Sequence, residues 1–261
     1  MSTEFLTSGF FYSLIAGLAV AIAAGFLGMF MVMRRMTLVS DALSHVALPG
    51  VALAIIFNLN PFVGAFAFLL FAAFLISGIE RRTDLPTDAI VGVLFSASLA
   101  AGVLLTPEPD LLEALFGNLT QITALEAWII VAASIVMMLV TIVLSRNLIF
   151  LIVAPDLGHV SERRMKTANL IFLIMLAGSV ALGIRFVGTL LMGTLTIIPA
   201  ASAKNIARTL LQFGAASVIF AAISVMLGMA AVYFMHIASG PAVILSSVAI
   251  FLLTLIFRKP I

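Results

Sequence analysis

The sequence predicts an all-α integral membrane protein that forms a single transmembrane domain over residues 1–261. Hydrophobic residues make up 64% of the chain and charged residues 9%, whereas a soluble domain has about 45–50% apolar and about 25% charged residues. The apolar residues form about nine runs, each near the roughly 20 residues that a helix needs to cross a bilayer core. Basic residues cluster between alternate runs, as expected for loops on one side of a membrane. An ordinary soluble protein is therefore excluded.

The apolar runs follow one another with short connections. We place the transmembrane spans at 10–33, 40–57, 61–79, 88–105, 125–145, 168–184, 187–203, 212–235 and 241–257. The first span lacks a basic n-region and is preceded by Glu4, so we interpret it as a retained span and not as a signal peptide. The weakest break is the hairpin at 184–186, between the sixth and seventh spans. The longest connections, 106–124 and 146–167, are too short for a separate soluble domain.

The distribution of basic residues predicts the orientation of the chain. Twelve of the 13 lysines and arginines follow the first, third, fifth, seventh or ninth span, and Arg185 is the exception. The positive-inside rule makes that side cytoplasmic, with the N-terminus outside and the C-terminus inside. The formal net charge is only +2, and no basic face with interleaved aromatic residues occurs, so we expect membrane lipid and no nucleic acid as a partner.

The stretch Met36–Gly50 places an acid and an imidazole inside an apolar run. Asp41 and His45 are four residues apart, so they lie on one face of a helix, one turn from each other. Charges inside a membrane are costly and usually mark function. The chain has no cysteine, so a metal has to be held by nitrogen and oxygen, and this pair suits Zn²⁺, Mn²⁺ or Fe²⁺. The alternative is that Asp41 caps the second span while His45 hydrogen-bonds a neighbouring helix.

Two prolines within the predicted spans leave a backbone carbonyl without its usual hydrogen-bond donor. Pro49 has no N–H to donate to the carbonyl of His45, which leaves a third oxygen beside the imidazole. Pro199 frees the carbonyl of Leu195 in the same way, close to several side-chain hydroxyls. The segment around Pro199 is either a hinge or polar lining of a path, or a kink that neighbouring helices satisfy. The hydroxyl-bearing residues near it are Thr194, Thr196 and Ser202.

The connection after the fifth span contains a short amphipathic segment at about 154–166 on the predicted cytoplasmic side. Proline suits the first turn of a helix, and an acid suits its positive end. Two apolar residues three apart then share one face. A docking element for a cytoplasmic partner and a solvated loop are both compatible with this pattern. The residues of the expected docking element are Pro155, Asp156, Leu157, Gly158, His159 and Val160.

No motif for catalysis by the chain itself is present. The sequence contains neither H-E-x-x-H nor G-x-S-x-G. The segment 188–195 has glycines at phosphate-loop spacing, but Thr194 stands where the lysine is needed. We therefore expect a protein that is not an enzyme and holds no permanent cofactor.

Six sequence blocks together resemble those of a known protein family. The two most specific are R-R-M-T-L-V-S-D-A-L-S-H-V-A-L-P-G from Arg34 and L-T-I-I-P-A-A-S-A from Leu195. Four others support them, namely L-F-G from Leu115, A-P-D-L from Ala154, R-F-V-G-T-L-L from Arg185 and G-P-A-V-I-L from Gly240. Over essentially its whole length the chain resembles the membrane permease subunits of zinc and manganese ABC importers, the ZnuB and MntB type.

The resemblance implies a homodimeric permease in the bacterial plasma (inner) membrane. Its implied partners are a second copy of the chain, a dimer of a cytoplasmic ABC ATPase and an extracytoplasmic metal-binding protein. In such permeases the aspartate and histidine of the S-D-x-L-S-H block line the metal path, and they match Asp41 and His45. The A-P-D-L segment corresponds to the coupling helix that sits in a groove on the ATPase. This segment is slightly more similar to the zinc branch, so Zn²⁺ is the expected cargo, followed by Mn²⁺ or Fe²⁺.

Two other functions are compatible with the sequence. A proton-coupled secondary transporter would use Asp41 as its proton carrier and would work without an ATPase. An ABC permease for a metal chelate, a siderophore or a vitamin would have a related architecture. Uptake by the chain alone under a proton gradient would support the first, and competition by those compounds would support the second.

Overall fold

The computed structural model describes residues 3–83, 85–105, 122–153, 162–187, 192–235 and 237–257. Within these ranges the chain is all-helical. The helices are α1 Thr3–Met33, α2 Thr37–Ile56, α3 Pro61–Glu80, α4 Thr87–Leu105, α5 Ala124–Val153, α6 Glu162–Val187, α7 Met192–Ile206, α8 Leu210–Met235 and α9 Ser239–Ile256. Eight of these helices are long and apolar enough to cross a membrane, and the exception is α7, which has 15 residues. The predicted class, an all-α integral membrane protein, is confirmed.

The observed helices differ from the predicted spans mainly around α5 and α6. α5 continues to Val153, beyond the predicted end just before Arg146. Arginine ends an apolar run but is a good helix former, so hydropathy marks the end too early. The hairpin predicted at 184–186 is wrong, because α6 runs through Val187. No proline or glycine interrupts the helix at those three positions.

α1 and α8 run antiparallel to each other. The rings of Phe10 and Tyr233, near the start of α1 and the end of α8, lie 5.5 Å apart between centroids. Towards the other ends, a Cβ on Gly214 of α8 would lie 3.3 Å from the sulfur of Met29 in α1. α1 therefore ends on the side of the protein where α8 begins. We call this the basic side, because it carries Arg34, Arg35 and Arg208.

α1 and α2 both end in a turn that has the hydrogen bonds of a Schellman motif but no glycine. After α1, Arg35 has a φ of 58°, and the amide of Met36 donates to the carbonyl of Met31 over 3.0 Å. After α2, Asn58 takes the same position with a φ of 54°. This left-handed backbone favours glycine, and asparagine tolerates it better than arginine does. The chain thus passes from α1 to α2 in three residues, 34–36.

α2 is the enclosed helix of the bundle, with 13 of its 20 residues buried. Glycines allow two neighbours to approach it closely. A Cβ on Gly64 of α3 would lie 2.3 Å from the backbone oxygen of Gly50 in α2, and a Cβ on Gly102 of α4 would lie 2.9 Å from Cβ of Leu48. Small residues at such contacts are the usual basis of helix association in membranes, where packing replaces the hydrophobic effect. α3 therefore packs directly against the backbone of α2, and α4 packs against the side chains of Leu48 and Pro49.

We expect Gly64→Ala to destabilise the protein by about 1–3 kcal/mol, because the added methyl group has to displace the backbone of α2. Gly78→Ala on the same helix is the matched control, since no heavy atom would lie within 4 Å of its Cβ. The control should be neutral or stabilising by up to about 1 kcal/mol through its better helix propensity. Thermal unfolding of the purified protein in detergent measures both. Equal stability of the two variants would contradict the packing described here.

Candidate metal site

Asp41 and His45 lie one turn apart on α2, as the spacing predicts. α2 begins at Thr37, and its N-cap, Met36, makes no side-chain capping hydrogen bond. Asp41 therefore lies in the second turn of the helix and does not cap it. Capping, which was one explanation for an acid at this position, is excluded.

The imidazole of His45 is oriented by an aromatic contact. Its ring centroid lies 5.1 Å from that of Phe95 in α4, and the planes meet at 75°, an edge-to-face arrangement. Nδ1 of His45 is buried and has no hydrogen-bond partner. Buried polar atoms are normally paired, so an unpaired one needs an explanation, and binding of a ligand is one of them. The protein thus leaves a ring nitrogen of His45 unused by its own hydrogen bonds.

The start of α7 covers Asp41. A Cβ on Gly193 would lie 2.4 Å from Cα of Asp41, so only glycine permits this approach. Gly193 is the second residue of α7, which begins at Met192. The N-terminal end of a helix carries partial positive charge. That end lies beside an acidic residue, which is the favourable combination of charges, and the side chain of Asp41 stays partly exposed.

The contact with α7 sets the position of Asp41 along the two helices. α7 ends at Ile206 on the basic side, which is also the side where α8 begins, α1 ends and α2 begins. Asp41 is four residues from the start of α2, which is about 6 Å. Gly193 beside it is 13 residues from the end of α7, which is about 20 Å. α7 therefore extends further towards the basic side than the start of α2 does.

Pro49 and Pro199 are buried inside α2 and α7, and both helices continue through them. Pro49 lies against α4, because a Cβ on Gly102 would be 3.7 Å from its Cδ. Its missing N–H leaves the carbonyl of His45 without the usual helical donor. The geometry of α2 thus keeps a backbone oxygen one turn from the carboxylate and next to the imidazole.

The hydroxyls of α7 are mainly used within the helix. Thr196 Oγ1 donates to the carbonyl of Met192 over 3.4 Å, and Ser202 Oγ donates to the carbonyl of Ile198 over 2.9 Å. Both residues are fully buried. Thr194 is half-buried and has an interaction partner. This pattern is typical of a proline-containing helix whose polar groups are satisfied locally.

Asp41 and His45 are the two candidate ligands that α2 offers. Across the part of the chain that the structure describes, no cluster of three or more histidines, aspartates or glutamates could hold an ion. The expected docking residues 155–160 lie outside the described ranges, whereas 162–166, predicted as part of the same element, form the first residues of α6.

Sequence reasoning missed Phe95 and Gly193. The chain has 21 phenylalanines and 18 glycines, and Phe95 carries no distinguishing pattern. Gly193 drew attention only as part of a false phosphate loop. Its function in the structure is to let α7 reach the backbone of α2.

The sequence matches that of a known protein family, the ABC 3 transport family, over residues 7–258. The chain belongs to this family. It is 33% identical over 246 residues to the manganese import system permease protein ScaB of Streptococcus parasanguinis, covering 93% of this chain and 88% of the relative. It is 32% identical over 254 residues to the high-affinity zinc uptake system membrane protein ZnuB of Haemophilus influenzae, covering 95% and 97%.

Solved structures agree with the ABC 3 family assignment. PsaBC from Streptococcus pneumoniae in complex with Fab superposes with a TM-score of 0.82 at 28% identity, covering 97% of this chain and 95% of that chain. An inward-facing putative metal-chelate type ABC transporter superposes with a TM-score of 0.76 at 16% identity and shares the fold. The resemblance to zinc and manganese permeases noted in the sequence blocks is confirmed.

We expect Phe95→Ala to weaken metal binding by about 2- to 10-fold, because the imidazole of His45 loses a ring contact worth about 0.5–1.5 kcal/mol and becomes free to rotate. Phe74→Ala is the matched control, since Phe74 lies on the exposed surface of α3. Titration of the purified permease with Co²⁺, followed by its absorption spectrum, measures both affinities. Wild-type affinity in Phe95→Ala would show that Phe95 does not orient His45.

Proposed function

We propose that this chain is the membrane permease subunit of a bacterial ABC importer for a divalent transition metal, Zn²⁺ or Mn²⁺. The observation that carries the proposal is the pair Asp41 and His45 on the enclosed helix α2, with Nδ1 of His45 buried and unpaired. Membership of the ABC 3 family and relatives named for manganese import and zinc uptake support the same conclusion. The protein acts in the plasma membrane and is not itself an enzyme.

Two copies of the chain would complete the site. Each copy contributes one carboxylate, one imidazole and the freed carbonyl of His45 beside them. Transition metals at nitrogen and oxygen sites take four or more ligands, so a homodimer that brings two α2 helices to a shared passage supplies enough. A site shared between two copies suits transport, because an ion must be bound strongly enough to enter and weakly enough to leave.

The chain works with proteins on both sides of the membrane. We infer that the basic side faces the cytoplasm, as the positive-inside rule requires. The segment Pro155–Val160 docks there on an ABC ATPase dimer, and a metal-binding protein delivers the ion to the opposite side. ATP binding and hydrolysis move the docking segments and expose the passage between the two α2 helices alternately to each side.

Zinc and manganese are both supported as cargo. Relatives named for each metal match at nearly the same identity, 33% and 32%. The donor pair of oxygen and nitrogen accommodates both ions. The slight similarity of the A-P-D-L segment to the zinc branch favours Zn²⁺. Membership of an ABC family leaves the proton-coupled secondary transporter without support.

We expect Asp41→Ala together with His45→Ala to reduce uptake of Zn²⁺ and Mn²⁺ by more than about tenfold, because loss of each ligand removes at least about 1.4 kcal/mol of binding. Elemental analysis of cells that express the complete transporter measures this. Asp88→Ala, at an exposed acid in the first turn of α4, is the matched control and should take up metal normally. Normal metal content in the double variant, with the transporter assembled, would remove both residues from the path.

We expect charge reversal at Arg163 and Arg164, next to the docking segment, to weaken association with the ATPase by about tenfold or more, because like charges would then face each other at the interface. Co-purification of the ATPase with the tagged permease measures the association. Lys259→Glu, a reversal on the same predicted side but far along the chain, serves as control. Equal ATPase recovery from all variants would place the docking surface elsewhere.

A further inference from the structure

Four polar side chains join four helices at the basic side. Asn169 of α6 stands in the middle of this polar bridge, which comprises Arg34, Glu80, Thr87 and Asn169. Arg34 Nη1 donates to Asn169 Oδ1 over 2.7 Å, and Asn169 Nδ2 donates to Glu80 Oε2 over 2.8 Å. The hydroxyl of Thr87, at the start of α4, donates to Glu80 Oε1. The bridge thus connects the end of α1, the end of α3, the start of α4 and α6.

The charges of the bridge are partly withdrawn from solvent. All four side chains are half-buried. The guanidinium carbon of Arg34 lies 5.4 Å from the ring centroid of Phe172, which is fully buried. Burial lowers the pKa of Arg34, and the negative charge of Glu80 opposes that shift. Charged groups in such surroundings are stable only when they are paired.

An amide is well suited to the middle of the bridge. Its oxygen accepts from the guanidinium while its NH₂ group donates to the carboxylate, so both charged groups are satisfied at once. If Asn169 were withdrawn, Arg34 and Glu80 would be left as neighbours of opposite charge. They could then pair directly, so neither charge would remain buried without a partner. The structure shows the arrangement with the amide inserted, and a direct ion pair would be a second satisfied arrangement.

The bridge lies between the two parts of the molecule that transport has to connect. Asn169 is the eighth residue of α6, which follows the expected docking segment Pro155–Val160. Arg34 lies in the three-residue turn that leads into α2, seven residues before Asp41. A movement of α6 therefore changes a contact that is covalently close to the metal ligands.

We propose that Asn169 is a positioning residue that couples α6 to the metal helix α2, by bridging Arg34 and Glu80 in one state of the transport cycle and releasing them to pair directly in the other. This inference rests on the proposed function. Both hydrogen bonds of Asn169 break together when α6 moves, so the turn before α2 responds in a single step. The direct pair of Arg34 and Glu80 keeps the cost of release low.

The test uses the complete transporter, with its ATPase, in proteoliposomes and compares metal uptake with ATP hydrolysis. Asn169→Leu removes both hydrogen bonds of the bridge. We expect ATP hydrolysis and binding of Mn²⁺ or Zn²⁺ to persist while metal carried per ATP falls at least about fivefold, which is the lower range of measured couplings between sites. Asn205→Leu is the matched control, because Asn205 donates a similar interhelical bond to Thr254 outside the bridge. It should keep the wild-type ratio.

A second variant tests the direct pair. Glu80→Gln leaves a side-chain oxygen that accepts from the amide of Asn169, but it leaves no carboxylate for Arg34 to pair with when Asn169 is released. We expect metal carried per ATP to fall at least about fivefold in this variant, whereas Glu80→Asp, which keeps the charge, retains part of the coupling. The comparison of these two variants decides the question even if Asn169→Leu fails to assemble.

Three results would overturn the inference. The first is a wild-type ratio of uptake to hydrolysis in Asn169→Leu. The second is a parallel loss of uptake, hydrolysis and thermal stability in that variant, which would make Asn169 purely structural. The third is a Glu80→Gln variant that assembles and keeps the wild-type ratio. A wild-type transporter that carries neither metal would instead overturn the proposed function, and this inference with it.

Discussion

The close approach of α2 to its neighbours is the constraint on which the candidate site depends. Gly64, Gly102 and Gly193 each bring a different helix against it, at positions where a side chain would collide with backbone or Cβ atoms. In a bilayer such packing holds helices together, because lipid tails are as apolar as the side chains. The acid and the imidazole are thereby carried into the packed interior, where an ionisable pair has a functional explanation.

The contacts around α2 are of two physical kinds. The glycine contacts are dry and interlocked, and packed interiors of this kind deform little. The contacts at the basic side are polar, with Asn169 between Arg34 and Glu80. A rigid central helix with an exchangeable polar attachment at one end is a combination that a rocking transport mechanism would use. The structure thus separates the interlocked contacts around Asp41 and His45 from the polar contacts at the basic side.

Much of the fold, and the position of Asp41 one turn from His45, could be predicted from sequence. Hydropathy located the helices because apolar length is what the bilayer selects, and the spacing of Asp41 and His45 placed them on one face. The ends of α5 and α6 could not be predicted, since a helix continues through residues such as Arg146 after its apolar run has ended. The contact of His45 with Phe95 depends on how two helices pack, and no local pattern encodes it.

The approach of α7 to Asp41 has a consequence for the passage of an ion. The structure describes 15 residues of α7, and Gly193 among them brings peptide groups against Cα of Asp41. Peptide groups are strong dipoles, whereas acyl chains offer a carboxylate no polar contact. The half-exposed side chain of Asp41 therefore lies beside protein dipoles on this face, and not beside lipid. In the proposed permease, such dipoles would replace part of the hydration shell of an ion, so dehydration would proceed in stages and the barrier to crossing would be lower.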